Sequence, residues 1–349
     1  MKGIADRLIQ TGRLDACGYR NLLNGCDDQT LAYLRNEAVR TACAQFGQNI
    51  YVRGLIEVSS FCRNNCLYCG LRRDNTKAER YRLTDSEIMD CCRKGYSAGL
   101  RTFVLQGGED PAFGTERLCR LASQIKSGFP DVALTLSMGQ MSRESYQALR
   151  EAGTDRYLLR HEAADRDLYR QLHPREMSWE DRRRCIADLK GLGYQTGIGM
   201  MVGVPGQTVD SLVEDLMYIQ ETAPEMVGIG PFIPHRETPL GSHPAGSLRT
   251  TVLLIAIVRL MLPDTLIPST TALTTLSVQG RRMGILSGAN VVMPNLTPPS
   301  ERKKYAIYEN KASSGSEAVE GLRTLDQELN EIGYHIDYSR GDYKTNDTL

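Results

Sequence analysis

The sequence has no surplus of charge of either sign. Lys plus Arg and Asp plus Glu each total 42 among 349 residues, so the formal net charge at pH 7 is zero. Without a basic excess, the chain has no general electrostatic attraction for nucleic-acid phosphates or anionic membranes. We therefore expect neither nucleic acid nor a membrane as a partner, and we expect a small molecule or another protein instead.

Long apolar runs are also missing. The longest, TTVLLIAIVRLMLP at residues 250–263, is interrupted by Arg259 and is shorter than the roughly 20 residues that cross a bilayer. The N-terminal residues mix charged with apolar side chains and lack the continuous apolar segment of a secretory signal. We expect a buried helix at 250–263 and a cytoplasmic location for the chain.

Cysteine is absent after Cys185, although the chain contains ten. Cytoplasmic thiols normally stay reduced, so disulfide bonds are a poor explanation for ten cysteines, and metal binding is a better one. Seven of the ten are scattered, whereas Cys62, Cys66 and Cys69 lie close together with the spacing C-x3-C-x2-C. The sequence thus indicates a candidate metal-binding segment.

Apolar strands alternate with amphipathic helices from about residue 50 onward. Several of the helical segments begin with Ser or Thr and end at Gly, as capped helices do. Eight strands are predicted, at 51–60, 102–107, 132–137, 155–161, 196–202, 226–231, 266–271 and 289–294. Eight strand–helix alternations are typical of an α/β fold of the (β/α)8 TIM-barrel type, because a doubly wound sheet usually needs fewer strands.

The pattern predicts three parts of the chain. Residues 1–48 read as a helical N-terminal extension, and residues 49–299 as a complete (β/α)8 barrel. Residues 300–349 read as a C-terminal helical segment that closes the barrel and ends in a polar, frayed tail. Catalytic groups of such barrels lie at the C-terminal ends of the strands, so we look for the site there.

The cysteine triplet directly follows the first predicted strand, in the segment SSFCRNNCLYCGLRR. Three thiolates can ligate three irons of a cubane cluster and leave the fourth open, whereas an electron-transfer cluster usually takes four cysteines. Two other interpretations remain open, namely three unrelated buried cysteines and a structural zinc site. Zinc would need a fourth ligand, and the nearest histidine in sequence is His161.

With Tyr68 before its last cysteine, this triplet resembles that of the radical S-adenosylmethionine (SAM) superfamily. The resemblance implies one 4Fe-4S cluster on Cys62, Cys66 and Cys69, whose open iron binds the amino and carboxylate groups of SAM. One-electron reduction would cleave SAM to methionine and a 5′-deoxyadenosyl radical. The protein would then orient the cofactor and exclude competing reactions.

Further candidate cofactor residues lie at the ends of later strands. Strand two ends in LQGGEDP, which resembles the superfamily's Gly-Gly-Glu motif that receives the SAM ammonium. Strand four ends in RYLLRHE, and glycines in the strand-five segment GIGMMVGVPGQT would let adenosine approach the backbone. The cofactor candidates are Tyr68, Gln106, Gly107, Gly108, Glu109, Ser137, Glu162, Arg182, Met201 and Tyr305.

Arg160 is the main candidate for substrate recognition and catalysis. It shares a strand face with Glu162, and its guanidinium fork suits a substrate carboxylate. Structural explanations also stay open: a turn at Gly-Gly-Glu, an Arg160–Glu162 ion pair, a solvated helix face at Arg182, strand packing at the glycines, and threonines that satisfy backbone groups. The other substrate candidates are Thr135, Thr270, Thr271, Met293 and Tyr308.

Longer strings narrow the resemblance to the FeFe-hydrogenase maturase HydE family. They are GLRRDN (70–75), RYLLRHE (156–162), MVGVPGQT (201–208), MVGIGPFIPH (226–235) and GANVVMPN (288–295). The resemblance implies assembly of the two-iron subcluster of the hydrogenase H-cluster. The substrate would be an iron carbonyl-cyanide complex carrying cysteine, supplied by the maturase HydG, and the radical would attack the cysteine sulfur. The scaffold maturase HydF would receive the product, and a ferredoxin or flavodoxin would donate the electron.

The chain departs from many HydE proteins near its C-terminus. Those proteins carry three further cysteines for an accessory cluster, whereas YENKASSGSEAVEGL at 308–322 has none, so we expect a single cluster. Two other functions stay open. A radical SAM amino-acid mutase of the methylornithine synthase type would turn over lysine, and a non-catalytic cluster carrier would bind iron without forming 5′-deoxyadenosine.

Overall fold

The computed structural model describes residues 1–311 and 318–343. The polar tail predicted beyond residue 343 lies outside these residues, as does the middle of the cysteine-free stretch at 308–322. Over the described residues, the strands are β1 (Asn49–Val52), β2 (Gly54–Ser59), β3 (Thr102–Gly107), β4 (Ala133–Ser137), β5 (Arg156–Leu158), β6 (Gln195–Val202), β7 (Met226–Pro231), β8 (Val291–Val292) and β9 (His335–Asp337).

The helices fill the intervals between these strands. In chain order they are α1 (Lys2–Thr11), α2 (Ala16–Gly25), α3 (Asp28–Phe46), α4 (Asp85–Ser97), α5 (Thr115–Gly128), α6 (Arg143–Glu151), α7 (Arg166–Leu172), α8 (Trp179–Gly191), α9 (Val209–Thr222), α10 (Leu248–Met261), α11 (Thr271–Leu276), α12 (Gly280–Ile285), α13 (Pro299–Arg302) and α14 (Ala318–Asn330). Many of them have the caps that the sequence indicated. Thr84, for example, accepts from the Glu87 backbone, and the Glu87 side chain accepts in return from the Thr84 backbone at the start of α4.

Six strands form one parallel sheet in the order β2-β3-β4-β5-β6-β7. Neighbouring strands are consecutive along the chain, and at least one helix separates each pair, as the predicted alternation requires. The second to sixth predicted strands are therefore confirmed, although β5 is shorter than predicted, and the first is confirmed only in its second half, β2. Their carboxyl ends, which we call the mouth, lie together because all six strands run in the same direction.

Two further segments connect the edges of this sheet. Leu266 bridges to Met226 of β7, a second bridge joins Pro268 to β8, and Asn295 bridges to Leu55 of β2, all in parallel orientation. The strand predicted at 266–271 is wrong as a continuous strand, because Pro268 has no N–H to donate to a ladder and α11 begins at the last of these residues. The eighth predicted strand is likewise reduced to the two residues of β8.

The first predicted strand is in fact two strands, and the C-terminal segment is not purely helical. Arg53 separates β1 from β2, and β1 belongs to a second sheet in the order β8-β1-β9. Strand β9 pairs with β1 in parallel, with Asn49 opposite His335. The sequence did not predict β9, because its three residues, His-Ile-Asp, have no apolar strand pattern. The strand forms because its backbone pairs with the backbone of β1, which needs hydrogen-bond partners.

The predicted buried helix at 250–263 is confirmed as α10. Every residue from Thr251 to Met261 is buried, Arg259 included. The Arg259 guanidinium is satisfied by the carbonyl oxygens of Gly288 (2.8 Å) and Thr265 (2.8 Å) and by the Asn290 side chain (2.9 Å). Among the described residues, no helix is long and apolar enough to cross a membrane.

The C-terminal segment also covers the amino ends of the strands. Arg156, the first residue of β5, is fully buried and contacts Asp342 at 2.6 Å. It also donates to the Arg340 carbonyl oxygen (2.8 Å), Gln195 (2.9 Å) and Thr102 (3.2 Å). Burial alone would raise the pKa of Asp342, but hydrogen bonds and charges from Arg340 and Arg156 hold it at about 2.

We predict that Asp342→Asn destabilises the chain by about 2 kcal/mol at pH 7, because it leaves a buried guanidinium without its carboxylate. The pKa of Asp342 is depressed in the folded state, so its contribution is complete above about pH 4 and is lost as the pH falls toward 2. Urea unfolding of the apo chain at pH 7 and pH 3 should show the difference between parent and variant shrinking at pH 3.

The matched control is Asp90→Asn, which removes an exposed pair with Arg93 on α4. Such surface pairs contribute little, so this variant should unfold like the parent. A difference between parent and Asp342→Asn that does not change with pH would contradict the role given to the carboxylate.

Candidate active site

The three cysteines lie on a long loop between β2 and α4, which we call the cysteine loop (residues 60–84). Arg80 holds this loop from within. Its guanidinium donates to four carbonyl oxygens, those of Ser60, Leu71 (2.9 Å), Arg72 (2.8 Å) and Asn75 (3.2 Å). Carbonyl groups in a loop lack the hydrogen-bond partners that a neighbouring strand would provide. The Arg80 side chain supplies donors to four of them and thereby fixes the course of the loop.

Cys62, Cys66 and Cys69 are all partly buried. Burial raises the pKa of the Cys66 thiol, and the neighbouring Cys69 and Cys62 raise it further. Burial also raises the pKa of Cys69 to about 12. The Cys69 N–H donates to the Cys66 carbonyl oxygen at 3.5 Å, so a tight turn joins these two cysteines. Among the described residues, no three Cys, His, Asp or Glu side chains converge as ligands of a single metal ion would. A cubane cluster does not require such convergence, because each cysteine binds a different iron.

The Gly-Gly-Glu turn after β3 packs directly against the cysteine loop. A Cβ atom on Gly108 would stand 2.2 Å from the carbonyl oxygen of Phe61 and 2.7 Å from the Cβ atom of Cys62. Backbone cannot move aside as a flexible side chain can, so this position requires glycine. Gly107 is less constrained, because its nearest neighbour would be the Met138 side chain at 3.1 Å.

Glu109, the acidic residue of this turn, has protein partners of its own. One carboxylate oxygen lies 3.0 Å from a guanidinium nitrogen of Arg63, and the other accepts a 3.0 Å hydrogen bond from the Gln140 backbone. A carboxylate offers about four acceptor positions, so these contacts leave room for an ammonium group. Gln106, at the end of β3, donates to the Tyr305 hydroxyl at 3.4 Å.

The turn after β5 places Arg160 and Glu162 at the mouth. Glu162 has a φ of 65°, a left-handed conformation that residues other than glycine rarely adopt. Its carboxylate lies 3.4 Å from the Arg160 guanidinium, so the ion pair of the structural explanation is present. Within the described part of the chain, however, Oε2 of Glu162 and Nε of Arg160 are buried without a hydrogen bond. Because buried polar atoms are normally satisfied, these two atoms are suited to a bound polar ligand.

Asp215, which the sequence did not single out, holds this turn against α9. Asp215 on α9 is fully buried and accepts a 2.7 Å hydrogen bond from the Ala164 backbone. Its other contact, at 3.1 Å, is with Nε2 of His161. These contacts tie the residues on both sides of Glu162 to α9. No local signal marked Asp215, because its neighbour Glu214 has the same chemistry and is exposed.

Arg182 of α8 is buried, so the interpretation that it lies on a solvent-exposed helix face is wrong. Arg184, two residues later, is exposed, as that interpretation expected. The Nη1 atom of Arg182 donates to the Arg160 carbonyl oxygen at 3.1 Å. Burial lowers the pKa of Arg182, but Tyr169, Tyr68 and two nearby carboxylates outweigh this and leave it above the ordinary value. The structure therefore places Arg182 among the other candidate cofactor residues.

Tyr68 and Met201 lie together, because Tyr68 packs on an apolar cluster that contains Met201 and Phe232. The glycines of β6 have a packing role as well. A Cβ atom on Gly199 would stand 2.1 Å from the Gly228 carbonyl oxygen in β7. The close approach of β6 and β7 is therefore sufficient reason for a glycine at position 199. That adenosine contacts this backbone stays a prediction.

The hydroxyl candidates and Met293 lie on β4, at the start of α11 and after β8. Thr135 on β4 is buried, and in the described chain its Oγ1 has no hydrogen-bond partner. Ser137 ends β4 and is half-buried. Thr270 caps α11 and bonds a β7 carbonyl at 3.4 Å, and Thr271 begins that helix, so neither ends a strand as predicted. Met293 follows β8 and is half-buried.

Residues 305–311 cross the mouth, and we call them the strap. The strap is joined to the cysteine loop where the Gly70 N–H donates to the Ile307 carbonyl oxygen at 2.8 Å. Tyr305 is buried and belongs to the main hydrophobic core. Tyr308 is half-buried, and burial raises its pKa; its charged neighbours include Glu57 and Arg160.

Glu57 and Lys311 are further site residues that sequence reasoning missed. Glu57 is fully buried on β2, where its carboxylate accepts from the Lys311 ammonium and, at 2.9 Å, from the Asn295 side chain. A glutamate inside the apolar run GLIEVS was the available signal, because a buried charge requires a partner. The pair fixes the strap over the mouth.

Comparisons with known proteins identify the family. A model of the radical SAM superfamily matches residues 56–219, which contain the cysteine loop. The [FeFe] hydrogenase maturase subunit HydE of Thermotoga maritima is 48% identical over 265 residues, which cover 76% of this chain and 75% of that protein. This chain belongs to the HydE family.

This chain is also similar, at lower identity, to methylornithine synthases. The 3-methylornithine synthase of Methanosarcina barkeri is 29% identical over 310 residues, covering 88% of this chain and 86% of that protein. A crystal structure of methylornithine synthase (PylB) superposes with a TM-score of 0.83 at 26% identity, covering 96% of this chain and 97% of that one. The α/β fold with its six-stranded parallel sheet is thus similar to a known radical SAM structure.

As a HydE-family member the chain is a radical SAM enzyme, and the family's cofactors are a 4Fe-4S cluster and SAM. The residues present fit both groups. The three thiols lie on one loop that packs against a turn requiring glycine at Gly108, and buried polar atoms of Arg160 and Glu162 have no hydrogen bond in the described chain. The contact that each residue makes to the cofactors stays a prediction.

We predict that Gly108→Ala impairs cluster binding, because the added Cβ would push against the Phe61–Cys62 backbone at a strain of about 1–3 kcal/mol. Iron per chain after anaerobic reconstitution should fall strongly, while the midpoint of thermal unfolding of the apo chain should drop by only about 2–10 °C, as a strain of that size implies. Gly114→Ala is the matched control, since its Cβ would meet its nearest neighbour at 3.6 Å, an ordinary contact. Parental iron content in Gly108→Ala would show that the turn does not support the cysteine loop.

Proposed function

We propose that this enzyme acts in assembly of the two-iron subcluster of the FeFe-hydrogenase H-cluster, on an iron carbonyl-cyanide complex that carries cysteine. The observation that carries the proposal is the 48% identity to HydE of Thermotoga maritima over three quarters of both chains. The complex would come from HydG, and the product would pass to HydF. A ferredoxin or flavodoxin would donate the electron, and we place the reaction in the cytoplasm.

The cofactor site is proposed to use the residues at the mouth. Cys62, Cys66 and Cys69 hold the cluster, and Glu109 and Glu162 receive polar groups of SAM. When bound, the cluster and SAM supply a one-electron cleavage that gives methionine and a 5′-deoxyadenosyl radical. The protein's own task is orientation and exclusion of water. Further SAM contacts are assigned to Tyr68, Gln106, Gly107, Gly108, Ser137, Arg182, Met201 and Tyr305.

Substrate binding is proposed to rest on Arg160. Its guanidinium is partly exposed at the mouth and keeps an unused Nε atom within the described chain, so it can take up a carboxylate of the substrate's cysteine. Hydroxyl groups and a thioether nearby would orient the rest of the complex. We assign Thr135, Thr270, Thr271, Met293 and Tyr308 to this role.

We further propose that the sheet closes into a complete (β/α)8 barrel. Bridges from Met226 to Leu266, from Pro268 to Val291 and from Leu55 to Asn295 support closure, because they link the two edge strands through two intermediate segments. The proposed domains are residues 1–48, 49–299 and 300–349. A single cluster is proposed as well, since no cysteine follows Cys185.

A second candidate function is an amino-acid mutase of the methylornithine synthase type. The observation in its favour is the PylB likeness, with a TM-score of 0.83 over nearly the whole of both chains. Identity to that structure is 26%, well below the 48% to HydE, so we place it second. The family assignment favours an enzyme over the non-catalytic carrier.

The deciding experiment is anaerobic reconstitution with iron and sulfide, followed by reduction and addition of SAM. Iron and 5′-deoxyadenosine are then quantified with the HydG product, with lysine, and with neither. Formation of 5′-deoxyadenosine stimulated by the HydG product supports the maturase. Stimulation by lysine alone would overturn it in favour of the mutase, and bound iron without any SAM cleavage would favour the carrier.

We predict that Cys66→Ala abolishes both cluster binding and SAM cleavage, because two thiolates do not retain a stable cubane. Iron content and 5′-deoxyadenosine measured after identical reconstitution check this. Cys119→Ala, on α5 and outside the cysteine loop, is the control and should keep both. A Cys66→Ala protein that retained its iron and its SAM cleavage would refute the cluster assignment.

We predict that Arg160→Lys lowers kcat/KM for the HydG product by about tenfold or more, because an ammonium lacks the bidentate fork. The dissociation constant of SAM should change by less than about threefold, since the positive charge near Glu162 is kept. Arg184→Lys, exposed on α8, is the matched control. Equal losses in SAM binding and substrate use would contradict the role assigned to Arg160.

A further inference from the structure

The C-terminal end of α7 contacts the cysteine loop at two adjacent residues. The Leu67 N–H donates to the Leu172 carbonyl oxygen at 2.9 Å. The hydroxyl of Tyr68 lies 3.1 Å from Nε2 of His173. His173 was not among the residues that the sequence singled out, and it is almost completely buried.

The position of the proton on His173 follows from its partners. Its Nδ1 atom lies 2.8 Å from the Tyr169 carbonyl oxygen, and a carbonyl only accepts, so Nδ1 carries the hydrogen. Burial and the nearby Arg182 lower the pKa of His173 to about 3, so the ring is neutral near pH 7. Nε2 therefore has a free lone pair, and the Tyr68 hydroxyl is the donor.

The imidazole has little freedom to turn. Tyr169 stacks on it with ring centroids 4.0 Å apart and an interplanar angle of 21°. Tyr68 meets the same ring edge-on, at 5.5 Å and 85°. Because one ring face and both nitrogen atoms are engaged, the direction of the Tyr68 hydroxyl is fixed by the backbone of α7.

Tyr68 stands between two of the three cysteines in sequence, so a constraint on it acts on both. The Cys66 carbonyl accepts a 3.5 Å bond from the Cys69 N–H, which closes a tight turn around Tyr68. The Cys66 sulfur also lies 3.7 Å from the Met177 sulfur, on the segment after His173. The hydrogen bond between Tyr68 and His173 is part-buried, so a hydroxyl left without this acceptor would cost free energy, and this turn would be the part to shift.

We propose that His173 is a positioning residue for the cluster. It accepts the Tyr68 hydroxyl hydrogen bond and thereby fixes the Cys66–Cys69 turn against the end of α7. The Arg160–Glu162 turn leads directly into α7, so one short element connects the SAM contacts with the cysteine loop. His173 acts through Tyr68, and it touches neither cofactor nor substrate.

The test compares His173→Phe, which keeps a ring but removes the acceptor, with His173→Gln, whose amide oxygen can replace it. In the reconstituted holoenzyme, His173→Phe should change the EPR spectrum and midpoint potential of the cluster. SAM binding should weaken about three- to tenfold, the effect of one lost hydrogen bond. His173→Gln should restore most of the loss. His335→Phe, on β9 far from the mouth, is the control and should match the parent.

A double-variant cycle separates positioning from a general packing effect. Tyr68→Phe should reproduce the cluster spectrum of His173→Phe, and the double variant should change that spectrum no further, because both variants remove the same hydrogen bond between Tyr68 and His173. Additive effects would overturn the proposal. So would a His173→Phe enzyme with parental spectrum, potential and SAM affinity.

A measurement on the unaltered apo chain keeps the proposal testable even if the variants do not fold. Nitrogen-15 NMR should show His173 as the Nδ1–H tautomer, unchanged between about pH 5 and pH 8. An Nε2–H tautomer would overturn the proposal, since the hydroxyl of Tyr68 would then have no acceptor there. No readout uses the HydG product, so failure here is distinct from failure of the maturase function.

Discussion

The hydrogen bonds of the Arg80 guanidinium are the constraint on which the site depends. Strand β2 ends at Ser59, and the loop beyond it must turn three thiols toward one place without the support of a sheet. Arg80 replaces that support by bonding four loop carbonyls. Asp110 then joins the loop to the Gly-Gly-Glu turn, because it accepts from Ser59 at 2.6 Å and from Arg82 at 2.6 Å. The cysteine loop is thereby preorganised before any iron is bound.

Polar side chains are buried at both ends of the strands. At the amino ends, the Arg156 guanidinium donates to the side chains of Asp342, Gln195 and Thr102 and to the Arg340 carbonyl oxygen. All of these acceptors belong to the protein, so this network is structural. At the mouth, atoms of Arg160, Glu162, Arg182 and Thr135 are buried without hydrogen bonds in the described chain. Buried atoms of Arg53 and Asn290 near the amino ends also lack hydrogen bonds in the described chain, so the mouth atoms suit a ligand because of their place beside the cysteine loop and not because of their number.

Much of the fold was predictable because it rests on local patterns. The first six strands and the buried helix α10 followed from apolar periodicity and capping residues. The strand at 266–271 failed because Pro268 and the start of α11 interrupt it, and β9 was missed because its pairing with β1 is a tertiary contact. Arg182 could not be decided from sequence, since its burial depends on how α8 packs beside the mouth.

The sequence by itself determined the chemistry of the site: the cysteine spacing, the Gly-Gly-Glu turn and the position of both after strands. These features involve residues close together in the sequence, so they can be recognised from residue type and spacing alone. Only the tertiary structure showed which groups hold that chemistry in place, namely Arg80 within the loop, Asp215 behind Glu162, Lys311 against Glu57, and His173 against Tyr68. The physical reason is burial: whether a polar side chain needs a partner depends on the neighbours that distant segments bring to it, and no local pattern contains that information.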